Sequence, residues 1–353
     1  MKRKIKPFRV IGAAAAFALL ALVCVLSALG AEGTVADENG FARCDPTKVM
    51  GAEACAKCHE AEINVWHTTP HFGTFDTLHR KPEAKQIAEK LGLRSVKRNE
   101  TCTKCHYTPQ EVDGRQRIVA GVSCESCHGA ARDWIDVHSD YGGENVTKEM
   151  ETPAHREQRI KAAVAAGMNN PANLYSIARQ CLACHTAPDE QLVNVGGHAA
   201  GTEDFELVAW SQGMILHNLL ESGGTMIAPS PIERLRVMYV VGVMADLEAS
   251  MRATAAATQK ATYGVTAARR AAGLKKRLYA ISEIVDNPQI AAATKAALAV
   301  ELKLNNSEAL RSAADEIARQ AYEFAATADG AQLAAIDQLL PKPEAYKWEA
   351  AKR

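Results

Sequence analysis

Hydrophobic and polar positions divide this chain into three stretches of different character. Past a basic start, Met1-Lys2-Arg3-Lys4-Ile5-Lys6, an almost unbroken apolar run extends from Val10 to Leu29. About 20 apolar residues suffice to span a bilayer and exceed the usual core of a secretory signal. Residues 1–30 therefore read as a signal peptide cleaved after the small residues Ala28-Leu29-Gly30, or as an N-terminal membrane anchor.

From residue 31 to 221 the pattern is broken, and short helical stretches alternate with turns. Glu60 to Val65 reads as a helix ended by Pro70, and 81–99 as a charged helix burying Ile87, Leu91 and Leu93. Pro109 to Gly114 reads as a turn, and Trp134 to His138 extends a short helical stretch. Thr152-Pro153 is a helix start matched by a stop at Gly167. Leu174 to Arg179 forms a short helix. Phe205 to Leu220 reads as another, with Trp210, Gly213, Met214 and His217 grouped on one face so that a flat ring can approach at Gly213.

Residues 222–353 are rich in alanine and show helical periods. Leu274, Leu278, Ile281 and Ile284 make one stripe; Leu310, Ala314, Ile317, Ala321 and Phe324 make another. Asn287-Pro288 and Asn305-Asn306-Ser307 are the breaks, and Met238, Met244 and Met251 fall at core spacing. This is the pattern of an antiparallel helical bundle.

The cysteines change the picture. Eight of the ten fall in four Cys-x-x-Cys-His sets: Cys55/Cys58/His59, Cys102/Cys105/His106, Cys124/Cys127/His128 and Cys181/Cys184/His185. In this signature two thiols bind the vinyl groups of haem c, and the adjacent His becomes an axial iron ligand. Zinc also uses paired cysteines, but a tetrahedral site gives no reason for a His directly after the second Cys every time. Four covalently bound haem c groups follow, with an export route to the periplasm where such attachment occurs. Cys44 is left over and reads as a buried free thiol.

Composition agrees. Apolar residues make up 47% of the chain but aromatics only 5%, low for a core filled by side chains alone, and flat macrocycles would supply the difference. The formal charge is zero, yet residues 31–250 hold 21 basic against 30 acidic groups and residues 251–353 hold 15 against 11. An acidic haem-bearing part suits docking to redox-partner proteins with a basic face. Nothing points to nucleic acid.

Each haem iron has a second face. His71, 12 residues past His59, and His138, 10 past His128, are both better placed for a neighbouring iron than for the one nearest in sequence. His217, a turn past Gly213, is a further candidate, and His198 in the connection Gly196-Gly197-His198 another. Trp66 reads as a lid on the macrocycle, and Arg132 as either a surface residue or the partner of a haem propionate.

Trp66 with His71, Gly121-Val122 before Cys124-Glu125-Ser126-Cys127-His128-Gly129, Arg132, His138, and the order of the four sets together resemble the cytochrome c-554 family over roughly residues 45–220. The resemblance implies a mostly α fold wrapped around haems in two near-parallel stacked pairs. It implies that His138 caps the first haem and His71 the third, that His217 is the nearest counterpart of the cap on the fourth, and that the second, at His106, is open. This chain departs from the family at Ala130-Ala131, where Pro-Gly is usual, and in the stretch from about residue 222. With both His198 and His217 present, one of them can close the second haem.

The expected architecture is a multihaem cytochrome c domain over residues 31–221 followed by the helical bundle. Two functions follow: an electron carrier with mostly bis-His haems, and an enzyme converting a small nitrogen-oxide-type substrate at an open second haem. The sequence shows no acid–base constellation for the second, and the carrier is the better reading.

Overall fold

The computed structural model describes residues 44–216 and 229–347. The apolar run 10–29 and His217 lie outside the described residues, within which no helix is long and apolar enough to cross a membrane. The described chain is mostly helical, with a single two-stranded sheet among the described residues.

The first part is a succession of short elements. Helices α1 (Glu53–Ala56) and α2 (Glu60–His67) flank the first Cys-x-x-Cys-His set, and α3 (Pro70–Thr77) starts at a proline with Thr69 as its cap. Helix α4 (Pro82–Lys90) is shorter than the expected 81–99. Gly92 adopts a positive φ of 67°, and the Leu93 amide donates back to the Ala88 carbonyl at 2.8 Å, a glycine stop that closes the helix. Helix α5 (Glu100–His106) carries the second set.

The stretch expected as a turn is in fact a hairpin. Strands β1 (Thr108–Val112) and β2 (Arg115–Ala120) pair antiparallel. They are joined by Asp113-Gly114, both at positive φ, the two-residue geometry whose twist matches the flanking strands. The hairpin leads into α6 (Cys124–His128), the third set, and then α7 (Ile135–Ser139). Helix α8 (Pro153–Ala165) has the expected Thr152 cap, whose hydroxyl accepts from the His155 amide. Helix α9 (Leu174–His185) runs past the expected end at Arg179 through the whole fourth set.

After α10 (Glu190–Asn194), helix α11 (Leu207–Trp210) gives way at once to a wider π turn over Ser211–Ile215. The long helix expected from Phe205 is therefore interrupted. Gly213 has its own reason to be glycine: a Cβ there would collide with the backbone of Lys347, whose amide donates to the Ala209 carbonyl at 2.9 Å. It admits the C-terminal segment rather than a flat ring.

Four long helices follow: α12 (Ile232–Ala256), α13 (Thr262–Ser282), α14 (Pro288–Leu298) and α15 (Ser307–Thr327). Helix α12 is buried nearly all round, as suits a central helix, and packs against α13, α15 and α9. The stripe Leu310, Ala314, Ile317, Ala321, Phe324 is wholly buried, as are Leu278 and Ile281; Ile284, beyond the end of α13, is exposed. One apolar core joins these helices to Leu174, Tyr175, Ala178 and Leu182 of α9, so the C-terminal helices rest directly on the element carrying the fourth set.

Candidate cofactor site

A single cavity of about 3430 Å³ runs through the first part of the molecule, and all twelve residues of the four Cys-x-x-Cys-His sets line it. Protein interiors hold few voids larger than a water, and an ordinary small-molecule pocket is roughly 300–1,000 Å³. A space several times larger, edged by eight cysteine side chains, has room for several macrocycles. Haem c fits the donor set as well, because each set lies within about one helical turn, where residues three and four apart share a face. No disulfide joins the described cysteines. The Cys44 Sγ–H donates to the Glu125 carbonyl at 3.5 Å.

The sets abut in pairs. The side chains of Cys55 and Cys124 lie side by side, bringing the first set against the third. Those of Cys105 and Cys184 likewise bring the second against the fourth. Third and fourth sets are tied by Gln180, whose amide donates to the Ser126 carbonyl at 2.9 Å. The series is thus first, third, fourth, second.

Histidine rings face each other across the cavity in three pairs. Ring centres of His59 and His138 are 6.3 Å apart with planes at 15°, those of His71 and His185 6.2 Å apart at 55°, and those of His106 and His198 6.2 Å apart at 51°. Imidazole nitrogen sits about 2.0–2.1 Å from a bound metal, with the ring centre roughly 1 Å behind it, so two rings on opposite sides of one ion stand about 6 Å apart.

The Nδ1 atoms are turned away toward local partners. That of His138 meets the Ile135 carbonyl at 2.5 Å, that of His198 the Ala199 carbonyl at 2.8 Å, and that of His128 the Asn169 carbonyl at 3.2 Å. His185 Nδ1 meets the Thr202 hydroxyl at 2.9 Å. Such contacts fix the ring and leave Nε2 for a metal. Burial, with neighbouring His198, His71 and Lys81, holds His106 down to about 4, and burial with His71, Arg270 and His106 does the same to His185. Burial lowers His71 and His138 also. Neutral imidazole is the ligating form.

One pairing differs from what the resemblance implies: the ring opposite His71 is that of His185, in the fourth set, rather than that of His128. His198 stands opposite His106, the face that the resemblance leaves open and that His198 or His217 is available to close. The ring opposite His59 is that of His138.

The residues that carried the resemblance have visible work. Trp66 lines the cavity, and its Nε1–H donates to the Val122 carbonyl at 2.8 Å. The Val122 amide donates to the His71 carbonyl at 3.1 Å, and a Cβ on Gly121 would strike that carbonyl and the Thr74 hydroxyl. Gly121-Val122 and Trp66 thus form the seat of His71. The buried Glu125 carboxylate accepts from the amides of Met50, Gly51 and Ala131, each at 2.8 Å, binding two segments of chain to the third set.

Arg132 is exposed and away from the cavity wall, the surface reading. The arginines on the cavity wall are instead Arg98, Arg115, Arg117, Arg156, Arg159 and Arg234. Arg159 donates to the His138 carbonyl at 2.6 Å while held by both oxygens of Glu151. Nothing in its surroundings in sequence announces this. Glu62, three residues past His59, is the other omission: it lines the cavity with its carboxylate 3.7 Å from His59 Nδ1.

Residues 54–129, which hold the first three sets, match the family model described as cytochrome c554 and c-prime. Cytochrome c-554 of Nitrosomonas europaea is 27% identical over 146 residues, which are 38% of this chain and 56% of that protein. The chain thus spans about half the length of this curated relative. No solved structure matches the chain significantly. The resemblance to the cytochrome c-554 family holds, and the family model itself ends at residue 129, well before the C-terminal helices.

Proposed function

We propose that this chain is an exported electron carrier holding four haem c groups in one cavity. Cys55, Cys58, Cys102, Cys105, Cys124, Cys127, Cys181 and Cys184 attach them, and His59, His106, His128 and His185 are the ligands beside the attachment points. His138, His198 and His71 are the opposite ligands of the first, second and fourth. Each haem, when bound, supplies a reversible one-electron change at its iron.

The observation that carries this reading is the set of three histidine pairs separated by 6.2–6.3 Å. Two imidazoles on one ion leave no position for substrate, which suits electron transfer and disfavours catalysis. In particular, His198 closes the face at His106 on which the nitrogen-oxide enzyme reading depends. The chain's own contribution is to hold the rings, exclude water, and bring the attachment sets together in series. The acidic excess of residues 31–250 favours a basic redox-partner protein, with association fastest at low salt.

Intact mass of protein produced with a haem-attachment system tests the first step. Four haem additions that survive denaturation are expected; fewer would overturn the assignment of the sets.

A further inference from the structure

The C-terminal helices lie outside the family match, yet they reach the fourth attachment set through a short chain of hydrogen bonds. Asp246 of α12, 7% exposed, takes Arg270 of α13 in a two-pronged pair, Nε to Oδ1 at 2.7 Å and Nη2 to Oδ2 at 2.8 Å. The remaining Arg270 nitrogen, Nη1, donates to the Thr202 carbonyl at 2.6 Å. Thr202 in turn grips His185 twice: its amide donates to the His185 carbonyl at 2.8 Å, and its hydroxyl oxygen meets His185 Nδ1 at 2.9 Å. Gly201, at φ 88°, permits this approach, since a Cβ there would stand 2.7 Å from the same carbonyl. Phe205 stacks on the imidazole with ring centres 4.6 Å apart.

We infer that Asp246 and Arg270 are positioning residues for the fourth haem, fixing the His185 ring through Thr202 and placing a guanidinium charge behind it. The inference rests on the reading of His185 as an iron ligand. With Nε2 on iron, Nδ1–H donates to the Thr202 hydroxyl, which makes the imidazole a stronger electron donor and favours ferric iron. The Arg270 cation, its field partly offset by the Asp246 carboxylate, acts the other way and favours the ferrous state. The two contacts therefore have opposite electrical consequences, and a merely structural role has neither.

The test is a redox titration of the haem-loaded protein, with His71→Met marking which of the four midpoint potentials belongs to the His71/His185 pair. Arg270→Gln is expected to lower that one potential and Thr202→Val to raise it, while Arg270→Lys stays near the parent. If His71→Met moves no single potential, the ligand reading fails. If it moves one, and Arg270→Gln and Thr202→Val leave that potential in place or shift all four alike, the ligand reading stands and the relay is refuted. Thermal melting of the same variants separates the two roles, because loss of packing alone lowers the melting temperature without moving one potential.

Discussion

Glu62 is 9% exposed, and neither oxygen of its carboxylate has a hydrogen-bond partner. A buried carboxylate is costly unless a positive group compensates it, and the ring nitrogen beside it is His59 Nδ1 at 3.7 Å. Ferric iron on His59 would be such a group. Glu62→Gln is therefore expected to raise the midpoint potential of the haem bound by His59 and leave the other three unchanged; potentials that do not move would show the carboxylate to be electrically silent. At this scale the sequence was most informative where covalent chemistry fixes the spacing: twelve residues of four motifs, all on one cavity wall. It was least informative for which histidines the proposal sets opposite one another. His71 and His198 are set by where loops fold back, and the backbone seat at Gly121 that determines His71's position comes from 50 residues downstream.

Among the elements, caps and stops were legible because their signals are local. Thr152-Pro153 and Asn287-Pro288 both begin helices with their side chains accepting backbone amides. The hairpin was missed although Asp113-Gly114 announces it, since strand residues Arg115, Gln116 and Arg117 are all exposed and leave no hydrophobic alternation to read. The junction between α7 and α8 carries a pH dependence. Arg159 first, then His155, hold the Glu151 carboxyl down to about 2 from its ordinary 4.5. A carboxyl depressed on folding adds stability that is fully present above about 4.5 and is lost as pH falls toward 2. The difference in melting temperature between pH 5 and pH 3 should be smaller in Glu151→Gln than in the parent. An equal difference in both would remove Glu151 from the acid transition.

The molecule as a whole is built around space that side chains do not fill. Its low aromatic content, 5% in 353 residues, agrees with that. What composition did not show is that the C-terminal helices are continuous with the haem-bearing part. Leu174, Tyr175, Ala178 and Leu182 of α9 belong to their core, and Tyr175 Oη donates to the buried Glu248 at 2.5 Å. Removing residues 229–353 would expose that side of α9, so the truncated protein should carry fewer covalent haems by intact mass, with the fourth set, Cys181 and Cys184, affected first. Four haems retained at parental potentials would mean that the C-terminal helices are an independent unit.

The closed face at His106 is the claim on which carrier and enzyme part, and low-temperature EPR of the oxidised protein with and without nitric oxide addresses it directly. The pairing with His198 predicts that no iron at the second set is high-spin or ligand-responsive in the parent, and that His198→Ala creates one. If His198→Ala adds no high-spin, nitric-oxide-responsive iron beyond what the parent shows, the pairing is contradicted and the second face is open in the parent.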